Sequence, residues 1–220
     1  MVMELYYNPL SRPSLSVMLL SRALDLNLEL KEIDILGKEQ YTEEYMKINP
    51  QHTVPFLVDD DLSLSESGAI MIYLVEAYGK DDSLYPNNPK HRAVINQRIL
   101  FDAGTLWMRI MQCFMIPVLH QNMGVNDLLL ERVHDGFTTL NSFLENKQWA
   151  AGDEITVADY CLVTTVADAE AVGYDISKYP HVSEWFTKCK ETMVDYDDLI
   201  QNAMDNLTSI FNEKLSNVEP

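Results

Sequence analysis

Basic residues are scarce in this sequence. It has 16 Lys and Arg against 34 Asp and Glu in 220 residues, which gives a formal net charge of −18 at neutral pH. A surface of this sign repels the phosphates of nucleic acids and of anionic membranes, so we expect neither partner. No apolar run approaches the roughly 18 residues of a membrane-spanning helix, and the first residues lack the basic and apolar regions of a signal peptide.

Cysteine is scarce as well. Cys113, Cys161 and Cys189 are scattered, with neither a C-x-x-C motif nor the spacing of a metal site. We therefore expect no metal and a reducing, cytoplasmic location. What is present, 47% hydrophobic and 23% charged residues, is typical of a globular chain with a sizeable core.

The first 80 residues alternate between strand and helix patterns. Strands are predicted at 3–7, 28–34, 56–59 and 62–65, and helices at about 13–26, 43–48 and 67–78. Beyond Pro86-Asn87-Asn88-Pro89 no convincing strand pattern remains. Helices are predicted at 90–118 with a break near Pro117, at about 129–144, around Trp185 and at about 203–211. Another helix is predicted from Thr156, because its hydroxyl and the carboxylate of Asp159 can cap each other's backbone donors. The sequence thus predicts an α/β domain at 1–83, a linker at 84–89 and an all-helical domain at 90–220.

The segment from Asn49 to Pro55 carries the clearest functional signal. A proline before a strand leaves the N–H and C=O of Val54 free, and the bond before Pro55 is a realistic place for a cis peptide. A free donor and acceptor side by side can pair with an extended peptide. Further on, Glu66 and Ser67 begin a helix, whose free N–H groups bind carboxylates. Both segments indicate a receptor for a small charged peptide.

Ser11 lies in the turn between the first strand and the first helix. Its hydroxyl could donate to an anion beside the positive end of the helix dipole, and a thiolate gains most from such help. A serine in this position is more often simply an N-cap. Serine-hydrolase chemistry is not indicated, since no G-x-S-x-G elbow is present.

Several motifs occur in order between residue 3 and about residue 190. They are Leu5-Tyr6-Tyr7-Asn8-Pro9 with Ser11, Ile48 to Pro55, Glu66-Ser67, Leu84-Tyr85-Pro86, Lys90 to Arg98, Ala151-Gly152-Asp153 with Thr156-Val157-Ala158-Asp159, and Ser177-Lys178-Tyr179. Together they resemble the cytosolic glutathione transferases, most of all the insect delta class or a delta-like, unclassified relative.

The resemblance implies a thioredoxin-like N-terminal domain, a helical C-terminal domain and a homodimer. It also implies a glutathione transferase that conjugates glutathione to apolar electrophiles, as in insecticide detoxification, with glutathione as co-substrate and no further cofactor. Ser11 would hydrogen-bond the thiolate, and Val54, before a cis Pro55, would pair with the cysteinyl unit. The glycyl and γ-glutamyl ends would be held by Gln40, His52, Thr53, Glu66, Ser67 and Gly68. For His52, a partly buried structural histidine is the alternative.

The chain also departs from the family pattern. Gly68 stands where an arginine usually follows Glu-Ser, so a bidentate cation near the γ-glutamyl carboxylate is missing and glutathione binding is expected to weaken. Leu10 replaces the usual glycine before the serine, and Arg12 replaces a small residue. We hypothesise that Arg12 partly supplies the lost positive charge.

The electrophile pocket is expected between the domains, where ligand sites commonly form. By resemblance, its candidate residues are Leu10, Met108, Met111, Phe114, Met115 and Phe211. Methionines suit varied apolar shapes, although ordinary core packing explains any single one equally well. Two other functions stay open: a protein that sequesters apolar ligands, and a peroxidase acting on organic hydroperoxides. A dithiol redox protein is not indicated, since Ser11 and Ser14 occupy the places of its cysteines.

Overall fold

A four-stranded sheet forms the centre of the N-terminal half in the computed structural model, which describes residues 3–218. Its strands are β1 (Glu4–Tyr7), β2 (Glu29–Glu32), β3 (Phe56–Asp59) and β4 (Leu62–Ser65), in the order β2-β1-β3-β4. β1 pairs in parallel with β2 and antiparallel with β3, and β3 pairs antiparallel with β4. Leu5 and Leu57 are opposite each other and fully buried, which fixes the register at the centre.

Three helices accompany this sheet: α1 (Arg12–Ala23), α2 (Glu43–Ile48) and α3 (Ser67–Tyr78). α1 has Pro13 in its first turn, where the missing N–H costs nothing, and α2 begins after Thr42, whose side chain accepts from the Tyr45 N–H at 3.3 Å. Sheet and helices together form the expected thioredoxin-like fold.

Helices alone make up the described C-terminal half. They are α4 (Pro89–His120), α5 (Leu130–Leu144), α6 (Val157–Ala171), α7 (Pro180–Thr192) and α8 (Asn202–Ser216). α6 is buried almost throughout and packs against both α1 and α4, so it joins the two halves. The predicted capping box is confirmed: Asp159 Oδ2 accepts from the Thr156 N–H at 2.8 Å, and the Thr156 side chain bonds the backbone of Asp159.

The expected break near Pro117 is wrong. α4 runs through this proline because the stretch Met111–His120 is wound as a π-helix, as is Asp102–Leu106. In a π-turn each backbone N–H bonds the carbonyl five residues earlier instead of four. The wider turn relieves the clash that a proline ring makes with the carbonyl four residues earlier in an α-helix. The wide winding therefore lets the helix continue to His120.

The continuity of α4 also corrects the expectation about long apolar runs. Within residues 3–218, this 32-residue helix is the one segment whose length and hydropathy would suffice to cross a membrane, with a mean hydropathy of 1.3 in its most apolar window. Of that window 39% is buried, and α4 packs against α5, α6 and α8. A core helix passes the same test of length and composition.

Candidate active site

A cleft of about 580 Å³ opens between the two halves of the chain. One wall comes from the β1–α1 turn and from the segment before β3, and the other from α4, α6 and α8. The helical wall consists of Trp107, Met111, Met115, Leu119, His120, Asp168, Leu207, Ile210 and Lys214. The cleft therefore has a polar side made of loops and a largely apolar side made of helices.

Asn8 shapes the turn that presents Ser11. Its side-chain amide donates to the Ile33 carbonyl at 3.0 Å, its Oδ1 accepts from the Leu10 N–H at 3.0 Å, and its carbonyl accepts from the Ser11 N–H at 3.0 Å. Because Ile33 directly follows β2, these bonds tie the turn to the next strand of the sheet. The turn that carries Ser11 is thereby anchored on both sides.

Ser11 occupies the N-cap position of α1, yet its side chain makes no capping hydrogen bond. Ser11 lies in the cleft lining and is partly exposed. Its hydroxyl is thus available to a ligand at the positive end of α1. The common capping role of such a serine is not the one adopted here.

The segment before β3 has the backbone arrangement expected from its prolines. The Val54–Pro55 peptide bond is cis, and the ladders of β3 begin only at Phe56. The Thr53 carbonyl accepts from the Tyr45 hydroxyl at 2.6 Å and from the Asn49 amide at 2.8 Å, which fixes the segment from behind. Val54 reaches the cleft with its backbone outside the sheet pairing.

Gln40, His52 and Thr53 line the same end of the cleft. His52 is exposed and its ring lies 4.9 Å from that of Tyr41, so it is not the partly buried structural histidine of the alternative interpretation. Gln40 is buried, and its amide donates to the Ile35 carbonyl at 3.3 Å. Its Oε1 is buried and has no hydrogen-bond partner among the described residues.

Glu66 and Ser67 stand at the start of α3, and neither they nor Pro55 and Gly68 belong to the cleft lining. Glu66 has a positive φ of 70° and is linked to the His52 segment by Gln51, whose amide donates to Glu66 Oε1 at 2.6 Å. The exposed helix start is therefore connected to the cleft through one side chain.

Arg12 does not take the role that we hypothesised for it. Its guanidinium is ion-paired with Asp102 of α4, lies 5.0 Å from the centre of the Trp107 ring and is only 3% exposed. Since the Asp102 carboxylate neutralises it, Arg12 does not offer a free positive charge to a ligand at α3. Arg12 instead joins the β1–α1 turn to the helical half.

Asp168 of α6 lies beside this ion pair and in the cleft lining. Burial raises the pKa of its carboxyl to about 7, against the lowering effect of the nearby Arg12 charge, and Asp102 raises it further. Burial likewise raises the pKa of Asp102 itself. The charge of Arg12 thus acts on two buried carboxyl groups: it is ion-paired with Asp102 and lowers the pKa of Asp168 from nearby.

Three of the expected electrophile-pocket residues lie elsewhere. Leu10, Met111 and Met115 line the cleft, but Met108 is exposed outside it. Phe114 packs in the core with its ring 6.0 Å from that of Tyr174, and Phe211 is 2% exposed in the same core. Met108, Phe114 and Phe211 are therefore not part of the cleft lining.

Most residues of the helical wall were not predicted from the sequence. Trp107, Met111, Met115 and Leu119 recur every four residues, and this spacing was a readable signal for one face of α4. Leu207, Ile210 and Lys214 are likewise spaced by three and four residues, which places them on one face of α8. Asp168 gave no such signal, since a lone aspartate in an apolar helix has no pattern around it.

Comparison with known proteins gives the family. The glutathione S-transferase N-terminal domain matches residues 1–76, and the glutathione S-transferase C-terminal domain matches residues 106–192. The chain belongs to the glutathione S-transferase family. The match covers both halves that form the cleft.

Solved glutathione transferases of insects share the whole architecture. The Bombyx mori enzyme BmGSTD1 is 39% identical, with a TM-score of 0.92 over 96% of this chain and 98% of its own. A Nilaparvata lugens delta-class transferase is 36% identical, with a TM-score of 0.92 over 96% and 99%. An epsilon-class transferase from the housefly, Musca domestica, is 36% identical, with a TM-score of 0.91 over 96% and 98%.

A glutathione transferase needs a thiolate, and the chain's own cysteines are unsuited to supply it. Cys113, Cys161 and Cys189 are all buried, and burial raises the pKa of Cys113 to about 11. In this glutathione transferase the reacting sulfur has to come from the bound co-substrate.

Proposed function

We propose that this transferase conjugates glutathione to apolar electrophiles, with the Ser11 hydroxyl stabilising the glutathione thiolate. The observation that carries the proposal is the position of Ser11: at the start of α1, in the cleft, with a side chain that caps nothing. A donated hydrogen bond and the helix dipole both favour the thiolate over the thiol. More thiolate at neutral pH means more nucleophile.

The rest of the glutathione site is assigned in the same proposal. Val54 pairs its backbone with the cysteinyl unit, and Gln40, His52 and Thr53 meet the glycyl end. Glu66 and Ser67, at the start of α3, meet the γ-glutamyl end. The free backbone of Val54 and the Gln51 link between the segments support this arrangement.

The second substrate would lie against the helical wall, where Trp107, Met111, Met115, Leu207 and Ile210 offer apolar surface. Holding it there beside the thiolate supplies proximity, which accelerates the attack of sulfur on the electrophilic carbon. A Bombyx mori glutathione S-transferase of 31% identity is described as diazinon-metabolizing, which supports insecticide detoxification as the role. A homodimer in the cytoplasm completes the proposal.

Retention on immobilised glutathione, followed by conjugation of 1-chloro-2,4-dinitrobenzene, tests this function. Both are expected. Binding of apolar ligands without either result would favour the sequestering protein instead. Oxidation of glutathione by an organic hydroperoxide, with an alcohol, water and glutathione disulfide as products, would add the peroxidase reaction, which the same thiolate can perform.

A further inference from the structure

Two residues of α4 hold the side chain of Arg12, and a backbone hydrogen bond joins these two residues. Arg12 is ion-paired with Asp102, and its guanidinium lies 5.0 Å from the centre of the Trp107 ring. The Trp107 backbone N–H donates to the Asp102 carbonyl, five residues earlier, across the π-helical stretch Asp102–Leu106. Short π-helical stretches are frequent at functional sites. Here the stretch sets the spacing of the two contacts that Arg12 makes.

The backbone of Ser11, the residue before Arg12, is also held on both sides. Its N–H donates to the Asn8 carbonyl at 3.0 Å, and its carbonyl accepts from the Leu15 N–H at 2.9 Å. Its side chain makes no capping hydrogen bond. The position of the Ser11 hydroxyl therefore depends on this backbone and on the anchored side chain that follows it.

The Arg12–Asp102 ion pair is a costly way to join two elements. The two side chains are 3% and 2% exposed. Taking both charges out of water costs free energy, and apolar side chains of similar volume often give equal or greater stability. A planar guanidinium that is both ion-paired and stacked has, however, little freedom to move. The pair thus supplies a fixed geometry more than it supplies stability.

We propose that Arg12 and Asp102 are positioning residues, which hold the β1–α1 turn so that the Ser11 hydroxyl donates to the sulfur of bound glutathione. The proposal rests on the proposed function, since it explains how the group that stabilises the thiolate is kept in place. Such an arrangement is sensitive to small movements, because a displacement of about 1 Å can cost a reaction roughly 100-fold in rate.

Replacing the ion pair by apolar residues separates positioning from stability. The double variant Arg12→Met/Asp102→Leu removes both charges together, so its midpoint of urea denaturation should equal or exceed that of the wild type. The ultraviolet absorbance of the thiolate, followed against pH with glutathione bound, measures the pKa of the bound thiol. This pKa should rise by about one pH unit, as the weakening of a hydrogen bond to a charged group would give. The kcat/KM with 1-chloro-2,4-dinitrobenzene should fall about tenfold or more.

The same double change in a Ser11→Ala background tests whether the effect passes through the hydroxyl. Loss of Arg12 also removes the charge that lowers the pKa of Asp168. An effect of the Asp168 carboxyl on the thiolate would persist without the hydroxyl, whereas an effect of position should disappear. Ser11→Ala and the triple variant should therefore give the same pKa of the bound thiol.

Arg98→Met is the control for the loss of a buried arginine. Arg98 is 4% exposed, donates to the Ala150 carbonyl at 2.9 Å and lies 3.5 Å from the centre of the Phe143 ring. Its replacement should lower stability, because a buried carbonyl loses its donor. The pKa of the bound thiol should stay at the wild-type value.

A wild-type pKa of the bound thiol in the double variant overturns the proposal, as does a rise that persists in the Ser11→Ala background or that Arg98→Met reproduces. If the double variant does not fold, Arg12→Lys takes its place. Lysine keeps the charge but loses the planar geometry, so a smaller rise is expected, and a wild-type value there is equally decisive against positioning.

Failure of the proposed function gives a different result. If Ser11→Ala alone leaves the pKa of the bound thiol unchanged, thiolate stabilisation by this hydroxyl is rejected. If Ser11→Ala raises this pKa and the double variant does not, the proposed function stands and only the positioning role is lost.

Discussion

Gly68 and Ile99 are in such close contact that the glycine leaves no room for a side chain. A Cβ at position 68 would lie 2.6 Å from Ile99 Cγ2, on the facing helix α4. That methyl group belongs to a β-branched and buried side chain, so it moves little. Ile99 of α4 therefore fills the space that a side chain at position 68 of α3 would need, where the family usually has an arginine.

Restoring a side chain at position 68 should cost stability. Gly68→Ala is expected to lower the free energy of unfolding by about 1–3 kcal/mol, the usual cost of overpacking, although alanine normally favours a helix. In an Ile99→Ala background, the same change should cost little or become favourable. Urea denaturation of the four proteins of this cycle measures the coupling.

Gly104→Ala is the matched control for this cycle, since a Cβ there meets nothing within 4 Å. It should leave stability unchanged or raise it. Additive effects of Gly68→Ala and Ile99→Ala would contradict the contact as the cause.

Removing the Ser11 hydroxyl should impair conjugation rather than folding. Ser11→Ala loses a hydrogen bond to a charged sulfur, worth about 1.5–3 kcal/mol, so kcat/KM with 1-chloro-2,4-dinitrobenzene should fall roughly 10- to 100-fold. The apparent pKa of the bound glutathione thiol should rise in the pH–rate profile, because the thiolate loses stabilisation.

Ser63→Ala, an exposed serine of β4, serves as its control and should keep wild-type rates. An unchanged pH–rate profile in Ser11→Ala would exclude thiolate stabilisation as the role of this hydroxyl.

The cleft-lining methionines should determine substrate preference. Met111→Ala and Met115→Ala enlarge the apolar wall, so KM should rise for small aromatic electrophiles more than for bulky ones. Steady-state kinetics with two electrophiles of different size measure this. Met108→Ala, on the exposed face of the same helix, is the control and should leave the ratio of the KM values for the two electrophiles unchanged. The same shift in all three variants would show that the cleft wall is not the cause.

The raised pKa of Asp168, about 7, predicts a pH-dependent stability. Below about pH 4 the carboxyl is protonated in both the folded and the unfolded chain. Between about pH 4 and pH 7 the unfolded chain ionises first, so the free energy of unfolding falls as pH rises. Asp168→Asn removes this dependence, and its stability relative to wild type should grow over that range by on the order of 4 kcal/mol.

Asp81→Asn is the control of opposite sign. The pKa of this exposed carboxyl is lowered by its hydrogen bonds to Ser83, so the wild-type residue stabilises the fold above about pH 4 and loses that effect as pH falls. Chemical denaturation from about pH 2 to about pH 8 covers both titration ranges and separates the two. Parallel curves for wild type and Asp168→Asn would contradict the raised pKa.

Local chemistry made much of the fold predictable. The Thr156 and Asp159 pair, the proline positions and the alternating strands each have short-range causes, and the structure has them as expected. The π-helical winding of α4 could not be predicted from local chemistry in the same way. Pro117 signals a helix break by its own chemistry, and the π-helix that accommodates it is visible only in the folded chain.

The site was predictable where it depends on backbone and motif, and not where it depends on partners far along the sequence. Ser11 and Val54, which were singled out from their motifs, lie in the cleft lining. Arg12 was misjudged because its partner, Asp102, lies 90 residues away, and no local pattern joins them. Gly68 was recognised as unusual, but its cause, Ile99, is a tertiary contact.

The Arg12–Asp102 ion pair makes the two halves of the chain inseparable units. The residue directly after Ser11 carries a buried charge whose counter-ion belongs to the other half. Separated from α4, the N-terminal half would expose an unpaired arginine at the very turn that presents the serine. The thioredoxin-like half therefore does not form a complete peptide-binding domain on its own. A chimera that combines halves from two relatives has to retain both Arg12 and Asp102.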